Sequence, residues 1–275
     1  MDPMTVSRRH AAGAGARGLL LTVLGEFVLP AGQPAPTSAF IDVLGRLGIE
    51  EKTSRQTLMR AAADGWLSSE RHGRYSRWRL SPVAEQFLIQ GAERIYGFTG
   101  SQREWDHRWL LVLARVPETN RAGRHLLRTR LRWAGFGSPA PGVWISTHHD
   151  RAKEAERVLD EAGMRDDAQI FLAEHVAGGE LATMVHQAWD LGEIETAYQG
   201  FLADFEGPPR TGALVGLTQL VHAWRRFPLI DPALPPELLP AQWSGVRAAG
   251  LFTERRLEWK PTANAEWQRI TGSAR

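Results

Sequence analysis

Between Lys52 and Arg79 stand seven basic residues (Lys52, Arg55, Arg60, Arg71, Arg74, Arg77, Arg79) against two acidic ones (Asp64, Glu70), a net of +5. Cations at this density are suited to the phosphates of a nucleic acid. Residue types add a second layer. The Gln56 amide can pair with an adenine edge, and the Arg60 or Arg55 fork with a guanine. The candidate contacts are Lys52, Ser54, Arg55, Gln56, Met59 and Arg60, followed by Arg71, Arg74, Tyr75 and Arg77. The arginines of the second group are expected to touch backbone rather than bases. A solvated basic face serving solubility would share this composition, but the order of the elements favours DNA.

Those elements follow from the run TSRQTLMRAAADGWLSSERHGRYSRWRL, Thr53 to Leu80. Thr53 suits a helix N-cap, with Gln56 three residues on as its capping-box partner. Leu58, Ala61 and Ala62 share one helical face, Lys52, Gln56, Met59 and Arg60 the opposite one, and Arg55 the flank. Gly65 is a plausible C-cap. Beyond it, Trp66 and Leu67 start an extended segment that turns at His72-Gly73 and returns through Tyr75, Trp78 and Leu80. Upstream, Leu19, Leu20, Val23, Leu24, Phe27 and Val28 mark a helix over 16–29, stopped by the prolines of 30–36. A second helix, capped by Thr37 or Ser38, runs through Phe40, Ile41, Val43, Leu44 and Leu47 to a Gly48-Ile49 turn. Three helices and a two-stranded wing result.

Farther on the rhythm changes. Ser81-Pro82 opens a connecting helix to about Tyr96, and Thr99 to Gln102 reads as a linker. The strand-like runs Trp109–Val116, Gly142–Ser146 and Gln169–His175 alternate with helices over Asn120–Trp133 and Arg151–Ala162, a ferredoxin-like pattern. From Glu180 helix dominates, including one over Gly212–Phe227 and another near Trp243–Trp259. The proline-dense, leucine-bearing stretch Pro228–Pro240 reads as an ordered apolar strap. The fold class is therefore α+β, with a tail over 1–15, a winged helix-turn-helix domain over 16–98, a ferredoxin-like domain over 103–177 and a helical domain over 180–275.

A second cationic group lies in the middle region. Arg121, Arg124, His125, Arg128, Arg130 and Arg132 occur with no acid among them, and 121, 124, 125, 128 and 132 fall on one helical face. That face could clamp phosphates of a small molecule or of DNA, or pair with acids elsewhere in the chain. Other chemistry is thin. His148-His149-Asp150 has no third metal partner at suitable spacing and reads as a loop into a helix, and His175, His186 and His222 read as structural. Gly178-Gly179 and Gly212 precede no phosphate-binding lysine, and no nucleophile, base and acid stand together. No metal, cofactor or enzymatic activity is expected.

Composition sets the frame. The 275 residues carry a net charge of +2, which hides an asymmetry: residues 1–136 hold +8 and residues 137–275 hold −6. A basic front facing DNA and an acidic body held away from phosphates fit this split. The absence of cysteine fits a reducing cytoplasm. Arg8-Arg9 and the leucines from Leu19 imitate a leader, but Gly25 and Glu26 break the apolar run, and nothing approaches the ~18 residues of a membrane span.

These residues together resemble the PaaX-type transcriptional repressors, over roughly Gly18 to Phe252. The likeness is carried by Leu47-Gly48-Ile49, Arg55, Arg60, Gly65-Trp66-Leu67, Glu70-Arg71, Gly73-Arg74, Ser76 and Arg94-Ile95-Tyr96. In the middle it rests on Arg132-Trp133, Gly135-Phe136-Gly137 and Pro141-Gly142-Val143-Trp144-Ile145. Near the end it rests on LVHAWRRFPLIDPALPPELLP, Leu220 to Pro240, with Trp243. The resemblance implies a winged helix, a central domain similar to the Cas2 fold, a helical C-terminal domain and a homodimer. It also implies repression of a phenylacetate-type catabolic operon through a double-stranded operator, an inverted repeat for a twofold protein. Release by an aryl-acyl-CoA such as phenylacetyl-CoA would follow. For that effector the candidates are Arg121, Arg124, Arg128 and Arg132 for phosphates, and Trp133, Trp144, Trp224 and Trp243 for the aryl group, each tryptophan being better explained as ordinary core. The Cas2 likeness raises one alternative, a metal-dependent nuclease. It would need an acid at the end of the first central strand, where Ala114-Arg115-Val116-Pro117 stands instead.

Overall fold

The computed structural model describes residues 15–72, 75–100, 104–115, 120–209 and 212–272, with the side chains of 71, 72 and 75 left aside. Apart from Gly15, the expected N-terminal tail lies outside the described residues. The chain divides into two compact units, the first formed by Met1–Phe98, Phe201–Arg226 and Gly250–Arg275, the second by Thr99–Gly200 and Phe227–Ala249. The C-terminal third is thus shared between them.

In the first unit, α1 (Ala16–Val23) widens into a π turn (Leu24–Val28) and ends in a short turn (Leu29–Ala31). A two-residue strand β1 (Ala35–Pro36) and the helices α2 (Thr37–Arg46) and α3 (Glu51–Ala63) follow. Leu20, Val23, Leu24, Phe40, Val43, Leu44 and Leu58 are buried together with Leu217, Leu220 and Trp224 of the later helix α9 (Ala213–Trp224), so the three-helix head shares one core with the C-terminal segments. The expected caps differ. Pro36 and Glu50 occupy the N-cap positions of α2 and α3 without side-chain bonds, because Thr37 spends its hydroxyl on Ser76 O (3.1 Å) and Thr53 lies inside α3. At its far end α3 stops as expected: Gly65 takes φ +76°, and Trp66 N–H returns to Ala61 O at 2.8 Å.

The wing pairs β2 (Leu67–His72) with β3 (Tyr75–Leu80), antiparallel from Leu67 opposite Leu80 to His72 opposite Tyr75, and β1 adds a third strand beside β3. Trp78 fixes the sheet to α2, its indole N–H donating to Thr37 Oγ1 at 2.9 Å. Then α4 (Pro82–Tyr96) begins as the sequence dictates, the Ser81 hydroxyl accepting from Ala84 N–H.

The second unit is ferredoxin-like. Strands β4 (Arg108–Ala114), β5 (Gly137–Ala140), β6 (Val143–Ser146) and β7 (Ala168–Glu174) form one antiparallel sheet in the order β5-β6-β4-β7, with crossovers α5 (Arg121–Trp133) and α6 (Ala152–Glu161). Leu110, Val112, Leu127, Leu131, Phe136, Trp144, Val158 and Leu159 fill the space between sheet and helices. Strand β5 was not expected; Gly137 is required there, because a Cβ would come within 2.4 Å of the Trp189 ring. Helices α7 (Leu181–Ala188), α8 (Leu191–Phe205), α10 (Phe227–Ile230) and α11 (Gly245–Gly272) complete the chain. The proline-rich segment between α10 and α11 is the ordered strap expected, with Asp231, Leu234 and Leu238 buried.

Candidate DNA-reading site

The α2–α3 turn aims the reading helix. Gly48 adopts φ +85°, Ile49 N–H bonds back to Leu44 O at 2.9 Å, and α3 starts directly afterwards. Burial of Ser54, Thr57, Leu58 and Ala61 then fixes its rotation. The opposite face presents Lys52, Arg55, Gln56, Met59 and Arg60, all exposed, at spacings of three and four that place them in one stripe. Thirteen residues make about 20 Å of helix, enough to lie along a major groove. Met59 is 62% exposed, a thioether facing water. On a groove floor it could contact a thymine methyl.

Two candidates stand differently. Ser54 is fully buried, its hydroxyl without a hydrogen-bond partner among the described residues, so it belongs to the inward face and not to a DNA surface. Arg55 is held by Glu51, with Nε and Nη2 donating to Glu51 Oε1 at 3.0 and 2.8 Å. Both side chains are more than half exposed, so the pair is weak and Arg55 can leave it for a base or phosphate at small cost. Glu51 itself was overlooked. Because the helix begins two residues before Thr53, Glu51 opens the reading helix with an exposed carboxylate able to accept from a cytosine amine. The signal was the charged run Glu50-Glu51-Lys52 directly after the Gly48-Ile49 turn.

In the wing, Arg77 is half-buried and Arg79 pairs with Glu70 at 2.7 Å. Arg71 and Tyr75 lie in strands whose backbone is described, and Arg74 and Gly73 lie outside the described residues. The reading face and the wing belong to the same unit.

The effector candidates fall in both units. Arg121, Arg124, Arg128 and Arg132 share the exposed face of α5, with Trp133 half-buried beside them in sequence. Trp144 is in the core between sheet and helices. Trp243 stands edge-on to Tyr198. Trp224 belongs to the other unit, where it stacks on Phe252 at 4.8 Å and donates its indole N–H to Ile95 O.

The histidine pair is structural in its contacts. His148 Nε2 lies 3.0 Å from Pro232 O and 3.2 Å from Ala233 O, pinning the strap, and His149 Nε2 lies 3.2 Å from Arg108 O. At the end of β4 stand Ala114 and then Arg115, beside a cleft that also takes in Asp166 and Asp167. Among the described residues no three His, Cys, Asp or Glu side chains come together as a metal group, and no helix is long and apolar enough to cross a membrane.

Comparison with known proteins agrees with this architecture. Three family descriptions match in order: PaaX-like protein over residues 15–84, PaaX protein central Cas2-like domain over 102–185, and PaaX-like protein C-terminal domain over 189–269. The chain is 30% identical to the Transcriptional repressor PaaX of Escherichia coli (strain K12) over 271 residues, covering 91% of this chain and 83% of that protein. In fold it is similar to the uncharacterized protein Rv0674 from Mycobacterium tuberculosis, with a TM-score of 0.64, 24% identity, and coverage of 92% of this chain and 98% of that one. With all three domain descriptions in sequence and a full-length relative of this identity, the chain belongs to the PaaX family.

Proposed function

We propose that this protein is a DNA-binding transcriptional repressor of a phenylacetate-type catabolic operon, released by an aryl-acyl-CoA such as phenylacetyl-CoA. The observation that carries the reading is the stripe Lys52, Arg55, Gln56, Met59 and Arg60, exposed on the second helix of a helix-turn-helix and followed by a basic wing. The likeness to a transcriptional repressor supports the direction of control. The protein acts as a cytoplasmic homodimer, one α3 per half-site, on an inverted repeat spaced by about one turn of duplex. Gln56 and Arg60 read base edges, while Lys52 and the wing arginines Arg71, Arg74 and Arg77 hold phosphates. The effector releases DNA only to the extent that it binds the non-binding form of the dimer more tightly than the operator-binding form.

Footprinting on the promoters flanking the gene, repeated with a panel of acyl-CoAs, tests this reading. A protected inverted repeat that is lost with phenylacetyl-CoA is expected. Protection that no acyl-CoA weakens would remove the effector, and absence of any sequence-preferred protection would remove the repressor.

A further inference from the structure

Helix α5 carries three arginines, Arg121, Arg128 and Arg132, that meet no carboxylate among the described residues. Arg121, Arg124, Arg128 and Arg132 are exposed along one face, and no acidic residue occurs in the helix. Among the described residues, no carboxylate lies within ion-pair distance of Arg121, Arg128 or Arg132. In the same unit, Arg108, Arg157 and Arg165 are each paired, with Glu174, Glu154 and Asp160. Arg130, turned away from the stripe, reaches Glu161 at 3.5 Å. Glu154, Asp160 and Glu161 of α6 are thus already engaged with other arginines.

The arrangement works against the helix. Arg121 and Arg124 in the first turn oppose the helix dipole, Arg132 in the last turn is favoured by it, and like charges at spacings of three and four repel along the whole stripe. A stripe that weakens its own helix is explained by a partner that neutralises it. Its shape indicates which kind. From Arg121 to Arg132 the stripe spans about 16 Å of convex, exposed helix. A CoA-sized ligand needs a concave seat, whereas one strand of duplex offers a phosphate about every 3.4 Å along its axis, and arginine forks suit phosphate oxygens.

We infer that the arginine face of α5 is a second DNA-contacting surface, gripping duplex backbone outside the segment read by α3. This rests on the DNA-binding reading above and adds a part of the molecule that reading does not use. Contact here is independent of sequence, so it lengthens the occupied site and raises affinity without altering base preference.

The test compares the wild-type protein with the triple variant Arg121→Ala/Arg128→Ala/Arg132→Ala and the matching triple lysine variant. Each is titrated with salt on two duplexes: the minimal operator, and the operator extended on both sides by about 20 base pairs, or roughly two helical turns. On the long duplex, the alanine variant is expected to lose about 2 to 3 from the slope of log K against log salt, at about 0.9 per lost phosphate contact. The lysine variant should keep most of it, and all three proteins should bind the minimal operator alike. Equal slopes for wild type and alanine variant on the long duplex overturn the inference. So do equal slopes combined with weakened phenylacetyl-CoA binding, which would assign the face to the small molecule. Failure of wild type on the minimal operator is a different result: it removes the DNA-binding reading itself, and the inference with it.

Discussion

The Tyr198 hydroxyl donates to Asp231 Oδ2 at 2.6 Å, and with that bond α8 holds the proline-rich strap. The other carboxylate oxygen accepts from Ala233 N–H at 2.7 Å, at a residue whose φ is +54°. His148 reaches the next two carbonyls from a separate loop. Tyr198 is sandwiched by Phe227, stacked at 4.2 Å, and by the edge of Trp243. A carboxylate 5% exposed therefore organises the most distinctive sequence run in the chain.

Burial raises the Asp231 carboxyl pKa above its ordinary value of about 3.9, the bonds from Tyr198 and Ala233 opposing that rise only in part. The folded chain holds this proton more tightly than the unfolded chain. The resulting contribution to stability is full below about 3.9 and is lost as pH rises through the folded pKa. Against Asp231→Asn, which cannot ionise, wild-type stability in urea should fall relatively as pH rises above 4. The asparagine variant also loses one of two acceptors, a constant cost of about 1 to 3 kcal/mol. Parallel stability curves across that range would show that burial does not raise this carboxyl's pKa in the folded chain.

Much of this architecture was legible and some was not, for identifiable reasons. The ferredoxin-like order could be read because β4, β6 and β7 are apolar runs separated by amphipathic helices, whereas β5 is Gly-Ser-Pro-Ala, an edge strand whose proline and glycine carry a turn's composition. The exposed face of α3 was legible because its inner residues, Leu58 and Ala61, set the helical phase. Ser54 was misassigned because a small polar residue at the boundary of that phase can sit on either side. The expected N-caps of α2 and α3 failed, the first because Thr37 is drawn to Ser76, 39 residues away, a competition no local motif reveals, and the second because α3 starts before Thr53. The role of His148 was hidden for the same reason, its partners lying 84 and 85 residues downstream.

Glu26 is the sharpest case of a long-range partner. In sequence it merely interrupts an apolar helix. In the fold it is buried in the π turn of α1, accepting from Arg256 Nη2 at 3.1 Å, Lys260 Nζ at 3.0 Å and the Tyr96 hydroxyl. Arg256 also lies over the Tyr96 ring, 3.9 Å from its centroid, and burial beside Glu26 raises the Tyr96 pKa. One carboxylate thus ties α1 to α4 and to the C-terminal helix. Glu26→Ala should destabilise the protein by about 3 kcal/mol, because two cations and a hydroxyl lose their acceptor together. Tyr96→Phe should cost less, about 1 kcal/mol. Denaturant melts of the two variants check the order; equal losses would mean that packing of the aromatic ring, and not the charge, makes the tie.

The reading face makes a last separation measurable. Gln56, Met59 and Arg60 occupy the middle of α3, and Lys52 lies near its start, two residues from the N-cap at Glu50. If the middle of α3 lies on the groove floor, Arg60→Ala removes a pairing to a guanine edge, costs about 1 to 3 kcal/mol on the operator and flattens preference at that base. Lys52→Ala removes a phosphate contact. It should weaken operator and random duplex by the same factor and reduce the salt slope by about 0.9. Salt-titrated binding to the operator, to single-base variants of it and to random DNA distinguishes the two. Identical profiles for both variants would mean that the stripe is held by charge alone and that α3 does not read sequence.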